Sequence, residues 1–76
     1  GIEVICVAEK FSRNCYDVDL TKPVALVFGS EDTGIEQPII DMASTCIKIP
    51  MQGEISSLNV SVAAAICVYE VCRQRG

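Results

Sequence analysis

Two short stretches of this 76-residue chain carry the residue types that chemistry needs. The first is Gly29-Ser30-Glu31-Asp32-Thr33-Gly34, a G-x-E-x-x-G pattern directly after the apolar run Val24 to Phe28. A glycine at a strand end lets the backbone approach a flat ligand or adopt positive φ, and the carboxylate stands where a helix begins. Taken alone, the same pattern also describes a tight turn with an acidic helix start. The second stretch runs from Ile49 through Pro50, Met51, Gln52, Gly53, Glu54, Ile55, Ser56, Ser57, Leu58 and Asn59 to Ser61. Pro50 ends a strand, Met51 offers a flexible polarizable wall, Gly53 allows a turn, and Ser56 or Ser57 can cap the next helix. A capping serine needs no function. Capping does not account for Asn59, a polar side chain in the first turn of an otherwise apolar helix, beside a second free hydroxyl.

Other chemistries are excluded by composition. With no histidine, nucleophilic schemes of the Ser-His-Asp and Cys-His kinds have no base within the chain. The five cysteines, Cys6, Cys15, Cys46, Cys67 and Cys72, form an odd set without a C-x-x-C pair, so no metal site is expected. Four of them sit among apolar neighbours, as reduced structural thiols of a cytoplasmic protein do.

The elements that position the two loops follow from apolar runs and their breakers. Val4 to Val7, Val24 to Phe28 and Thr45 to Ile49 read as short buried strands, the second entered through Pro23 and the third stopped by Pro50. The stretch from the first strand through Asp19 is polar and has no sustained period. Ile35 to Ala43 reads as a short helix with Pro38 in its first turn. From Leu58 to about Arg73 nearly every position is apolar, which predicts a helix buried on all sides, between its own sheet and another surface. Strands alternating with helices imply an α/β fold with a parallel sheet flanked by helices, and ligands in such sheets bind outside the carboxyl ends of the strands. Both loops occupy those places.

In this order and spacing, G-x-E-x-x-G and I-P-M-x-G-x-x-x-S-L-N-V-S-x-A closely resemble the last two signature motifs of SpoU-type (TrmH-like) RNA ribose 2'-O-methyltransferases, a branch of the knotted SPOUT superfamily. The ending Val68-Tyr69-Glu70-Val71-Cys72-Arg73-Gln74-Arg75 also looks like the close of their catalytic domain, so the resemblance covers most of the chain from Pro23 onward. It implies a trefoil-knotted domain that wraps the adenosine of S-adenosylmethionine. Gly29, Ile49 and Leu58 would contact this cofactor largely through backbone, with Met51 as apolar wall. Glu31, Ser57 and Asn59 match the polar, catalytic positions, and Arg73 and Arg75 resemble residues placed near bound RNA, either tRNA or ribosomal RNA. The family's earlier motif, with an asparagine and an arginine, has no match before Val24. Arg13-Asn14 has the reverse order and a different setting.

The chain is one small domain at most, opens on Gly1 rather than Met, and is expected to be the C-terminal portion (1–76) of a longer catalytic domain. A chain of this size buries a limited share of its surface, so a homodimer through the apolar helix is expected. No run approaches the length of a membrane span, and the protein is expected to be soluble. The net charge of −4 argues against a nucleic-acid partner only weakly when the sequence is part of something longer. Two other readings use the same residues: a non-catalytic module that keeps the cofactor or RNA pocket, and an interaction subunit that only dimerises.

Overall fold

An apolar run with no polar interruption suits a strand covered on both faces, and the first one supplies the middle of the sheet. In the computed structural model, which describes residues 1–30, 33–50 and 60–76, β1 (Glu3–Val7) lies between β2 (Val24–Phe28) and β3 (Thr45–Ile47). Both pairings are parallel and the strand order is β2-β1-β3. The register sets Ile5 beside Leu26 and Thr45, and Val7 beside Phe28 and Ile47.

Alternation along the strands then divides the sheet into two faces. On one face Ile5, Val7 and Ile47 pack with Cys15 and Leu20 from the β1–β2 connection and with Cys67 from the last helix, and Val18, Leu26, Phe28, Ile49 and Val71 close around them. The other face carries Cys6, whose thiol donates to the Ile39 carbonyl of α1 (Gln37–Met42) at 3.9 Å. The two crossovers that parallel pairing demands therefore run on opposite faces. Helix α2 (Val60–Arg75) returns to the first face.

Three features depart from expectation. The polar stretch after β1 contains a single 3-10 turn, Cys15–Asp17, started by Asn14, whose Oδ1 accepts the Tyr16 N–H at 2.9 Å. Residues 13–15 also pair with the end of β3. The Lys48 N–H donates to the Arg13 carbonyl at 2.7 Å, and the Cys15 N–H donates to the Lys48 carbonyl at 2.9 Å. Second, Ile35 is buried ahead of α1, which begins at Gln37.

Third, α2 is not enclosed on all sides: Val62, Val68 and Tyr69 are 48%, 55% and 73% exposed. A three-stranded sheet is narrow, and the helix packs beside it on the 3-10 turn, so among the described residues only one side is covered. Its buried residues are Cys67 and Glu70, the latter one of the few charged positions in its sequence. All five cysteines are free. Cys6, Cys15 and Cys67 are buried, Cys46 is half-buried and Cys72 is exposed.

Candidate functional site

In an open parallel sheet a crevice opens where neighbouring strands send their connections to opposite faces. Here that point is the carboxyl end of β1 and β2, because the β1–β2 connection covers one face and α1 the other. Gly29 leaves β2 at this edge and Ile49 follows β3 on the far side of β1. Two strand spacings separate their lines, roughly 10 Å, a distance a nucleoside can bridge. Both residues are half-buried, with the apolar side chains of Phe28 and Ile49 against the core beneath them.

Local structure explains the glycines of the first loop. A Cβ on Gly29 would meet the Gly34 carbonyl carbon, and would lie 2.5 Å from the Ile35 nitrogen and 2.6 Å from the Gly34 Cα. Gly29 is therefore required by the closure of its own loop, whether or not a ligand needs bare backbone there. Gly34 has φ of 71° and open space where a side chain would stand, so it is required by conformation alone. The turn is fastened by Ser30: its carbonyl accepts the Gly34 N–H at 3.0 Å and its Oγ accepts the Thr33 N–H at 3.1 Å. The Ser30 and Thr33 hydroxyls also meet at 2.8 Å.

Of the residues singled out in the sequence, Gly29 and Ile49 are brought to one edge of the sheet. Glu31, Met51, Ser57, Leu58 and Asn59 lie outside the described residues. Arg73 and Arg75 stand at the end of α2 and are bonded within the fold. Arg75 donates from Nε to the Leu20 carbonyl at 3.2 Å and from Nη2 to the Lys22 carbonyl at 2.7 Å. Lys22 precedes β2, so this guanidinium sits at the amino end of the sheet, roughly 20 Å of extended chain from Gly29.

Arg73 forms a two-pronged ion pair with Glu70, both contacts at 2.7 Å. Gln74 completes a latch onto the 18–22 segment. Its Nε2 donates to the Val18 carbonyl and to Glu70, each at 2.8 Å, and its Oε1 accepts the Leu20 N–H at 2.6 Å. Hydrogen bonds from Arg73 and Gln74 hold the Glu70 carboxyl at a pKa of about 2. The helical spacings Glu70–Arg73 and Glu70–Gln74 were a visible signal for the intrahelical part of this latch, and nothing in the sequence pointed to its partners at Val18 and Leu20. Burial pushes the Cys67 thiol up to about 11 and raises Cys6 and Cys15, which disfavours the reactive thiolate form of all three.

The family model described as the SpoU rRNA Methylase family matches residues 1–69. The chain belongs to that family. It is 40% identical over 75 residues to a 23S rRNA (guanosine-2'-O-)-methyltransferase of Ralstonia nicotianae, covering 99% of this chain and 30% of that protein. It is 48% identical over 64 residues to a tRNA (guanosine(18)-2'-O)-methyltransferase of Thermus thermophilus, covering 84% of this chain and 33% of the relative. The chain thus spans about a third of the length of these SpoU relatives.

Among solved structures, the TrmH/SpoU tRNA modifying enzyme of A. aeolicus superposes with a TM-score of 0.87 at 45% identity, over 99% of this chain and 39% of that one. The SpoU methyltransferase AviRb of Streptomyces viridochromogenes, solved in complex with AdoMet, gives a TM-score of 0.91 at 33% identity, over 99% and 30%. The parallel sheet with flanking helices expected from the sequence is the arrangement these neighbours share.

Proposed function

We propose that the chain is the C-terminal, cofactor-binding portion of the catalytic domain of an S-adenosylmethionine-dependent methyltransferase that modifies a ribose 2'-hydroxyl of tRNA or ribosomal RNA. The observation that carries this reading is the position of Gly29 and Ile49, each opening one of the two motif loops, on either side of β1 at the carboxyl edge of the sheet. The names of the relatives and the AdoMet complex of a neighbour support the same chemistry. The described part of the site suits a nucleoside: Gly29 and Ile49 are half-buried, and the side chains of Phe28 and Ile49 pack on the core beneath.

Bound there, the cofactor supplies a methyl group activated by its positive sulfur. The chain's own task is to hold and orient, since in-line transfer depends on positioning and on exclusion of water. Gly29, Ile49 and Leu58 are assigned to the adenosine cradle through backbone, and Met51 to its apolar wall. Glu31, Ser57 and Asn59 are assigned to the reacting end as groups that position the ribose. Deprotonating a ribose hydroxyl needs a base or a stabilising cation. That role is assigned to the asparagine and arginine motif, outside residues 1–76. Arg73 and Arg75 at the end of α2 are the residues assigned to RNA, Arg73 with a side chain 58% exposed.

The same reading includes a knotted domain, a cytoplasmic protein and a homodimer that uses the exposed side of α2. No helix among the described residues is long and apolar enough to cross a membrane. A shallow groove of about 440 Å³ between α2 and the 3-10 turn, lined by Tyr16, Ala65, Ile66 and Tyr69 with the Glu70–Arg73 pair at its side, supports the dimer.

Methyl transfer to structured tRNA and rRNA transcripts by the full-length protein tests the proposal. Asn59→Ala should lower kcat more than it lowers cofactor affinity, because its side chain is assigned to the reacting centre. The isolated 76-residue segment should bind cofactor weakly and transfer no methyl. Transfer by that segment at the full-length rate overturns the division, and cofactor binding without transfer in the full-length protein favours the non-catalytic module.

A further inference from the structure

The phosphates of an RNA substrate need cations near the carboxyl edge of the sheet, where transfer is proposed to occur, and both tail arginines are already engaged within the fold. Arg75 is committed to the Leu20 and Lys22 carbonyls and Arg73 to Glu70, at the end of α2 fastened to the 18–22 segment. The remaining basic residues are Lys10, Arg13, Lys22 and Lys48. Lys22 stands at the amino end, just before β2.

Backbone pairing gathers the other three into one loop cluster. The Ala8 N–H donates to the Ile47 carbonyl at 3.0 Å, which ties the turn carrying Lys10 to the end of β3. Lys48, the next residue, exchanges backbone bonds with Arg13 and Cys15. Ile49, the proposed start of the cofactor cradle, follows directly. Lys10 and Arg13 are exposed, Lys48 is half-buried, and none of the three is in an ion pair among the described residues. Lys10 lies 5.5 Å above the ring of Phe11, which restrains the stem and leaves the ammonium in water. The acids nearest in sequence are Glu9 in the same turn and Asp17 one turn further on, so Lys10, Arg13 and Lys48 together keep the cluster positive within a chain of net charge −4.

We propose that Lys10, Arg13 and Lys48 form the phosphate-contacting surface that seats the RNA strand beside the cofactor cradle. The proposal rests on the RNA methyltransferase reading above. Point cations on flexible stems bind phosphate without reading sequence, so this surface fixes register and the recognition of the target base lies elsewhere. The part of the sequence that supplies it, Lys10 to Arg13, is the stretch whose polar residues show no period.

The test uses the full-length protein and a structured tRNA or rRNA transcript that it methylates. The triple variant K10Q/R13Q/K48Q should bind this RNA about tenfold or more weakly at physiological salt, and the slope of log affinity against log salt should become shallower by about 2 to 3. Cofactor titration of the same sample should match wild type, because Arg13 and Lys48 support the fold through backbone atoms. Lys22→Gln should change neither the affinity nor the slope. The variant K10R/K48R, which keeps the charges, should retain both and excludes a folding defect as the cause. A triple variant with wild-type affinity and slope overturns the proposed surface while the methyltransferase reading stands. If the wild-type protein neither binds nor methylates any of the RNAs, the methyltransferase reading itself fails.

Discussion

Replacing Gly29 by alanine presses a methyl group onto the Gly34 and Ile35 backbone, so the loop must shift. The expected cost is about 1–3 kcal/mol, together with weaker cofactor binding. Gly34→Ala should cost about 1–2 kcal/mol for its left-handed conformation, while Gly34→Asn, a residue that tolerates that region, should cost less. Denaturant titration with calorimetry on the same samples checks both. A stable Gly29→Ala protein would contradict the described loop closure. Gly29 and Ile49 could be picked out in the sequence because each opens one of two motif loops of fixed spacing, and the sheet brings them to one edge. The structural role of Gln74 could not, because its partners are main chain at Val18 and Leu20, more than 50 residues away in sequence.

At the scale of elements, the latch between α2 and the 18–22 segment carries a pH signature. The folded-state pKa of Glu70, about 2, lies below its ordinary value near 4.5. Its contribution to stability is therefore complete above the ordinary value and is lost as pH falls through about 2. Thermal melts between pH 5 and pH 2 should show this loss in the wild type and a shallower slope in Glu70→Gln. Equal slopes would detach Glu70 from the acid transition. Gln74→Ala removes one donor and one acceptor from partly buried backbone and should destabilise by about 1–3 kcal/mol in urea. The three strands were legible as short apolar runs, two of them marked by Pro23 and Pro50, although β3 ends at Ile47, two residues before the expected Ile49. The 3-10 turn was not, since its apparent polarity hides a buried Cys15 and a backbone pairing with Lys48 that no local pattern encodes. The extent of α2 was legible but its environment was not, because apolarity on every side reports how much surface needs covering and not which chain covers it.

At the scale of the whole molecule, the uncovered side of α2 bears on assembly. Tyr69, 73% exposed and part of the groove with Tyr16, Ala65 and Ile66, is the position where an added charge meets the least resistance from the fold. Tyr69→Glu should leave the thermal stability of a monomer nearly unchanged and shift sedimentation of the full-length protein from dimer towards monomer. A dimer of unaltered affinity would move the interface elsewhere. The uneven anchoring of α2 also has a consequence in time. Its buried residues, Cys67 and Glu70, and its latch residues, Gln74 and Arg75, all fall in the second half of the helix, and positions 60 to 66 include none that is buried. A helix held this way should open from its first turns, so backbone amides of residues 64–66 should exchange with deuterium well before those of 70–74. Saturating cofactor should slow the early group and leave the late one as it was, which gives ligand binding a readout that requires no RNA and no turnover.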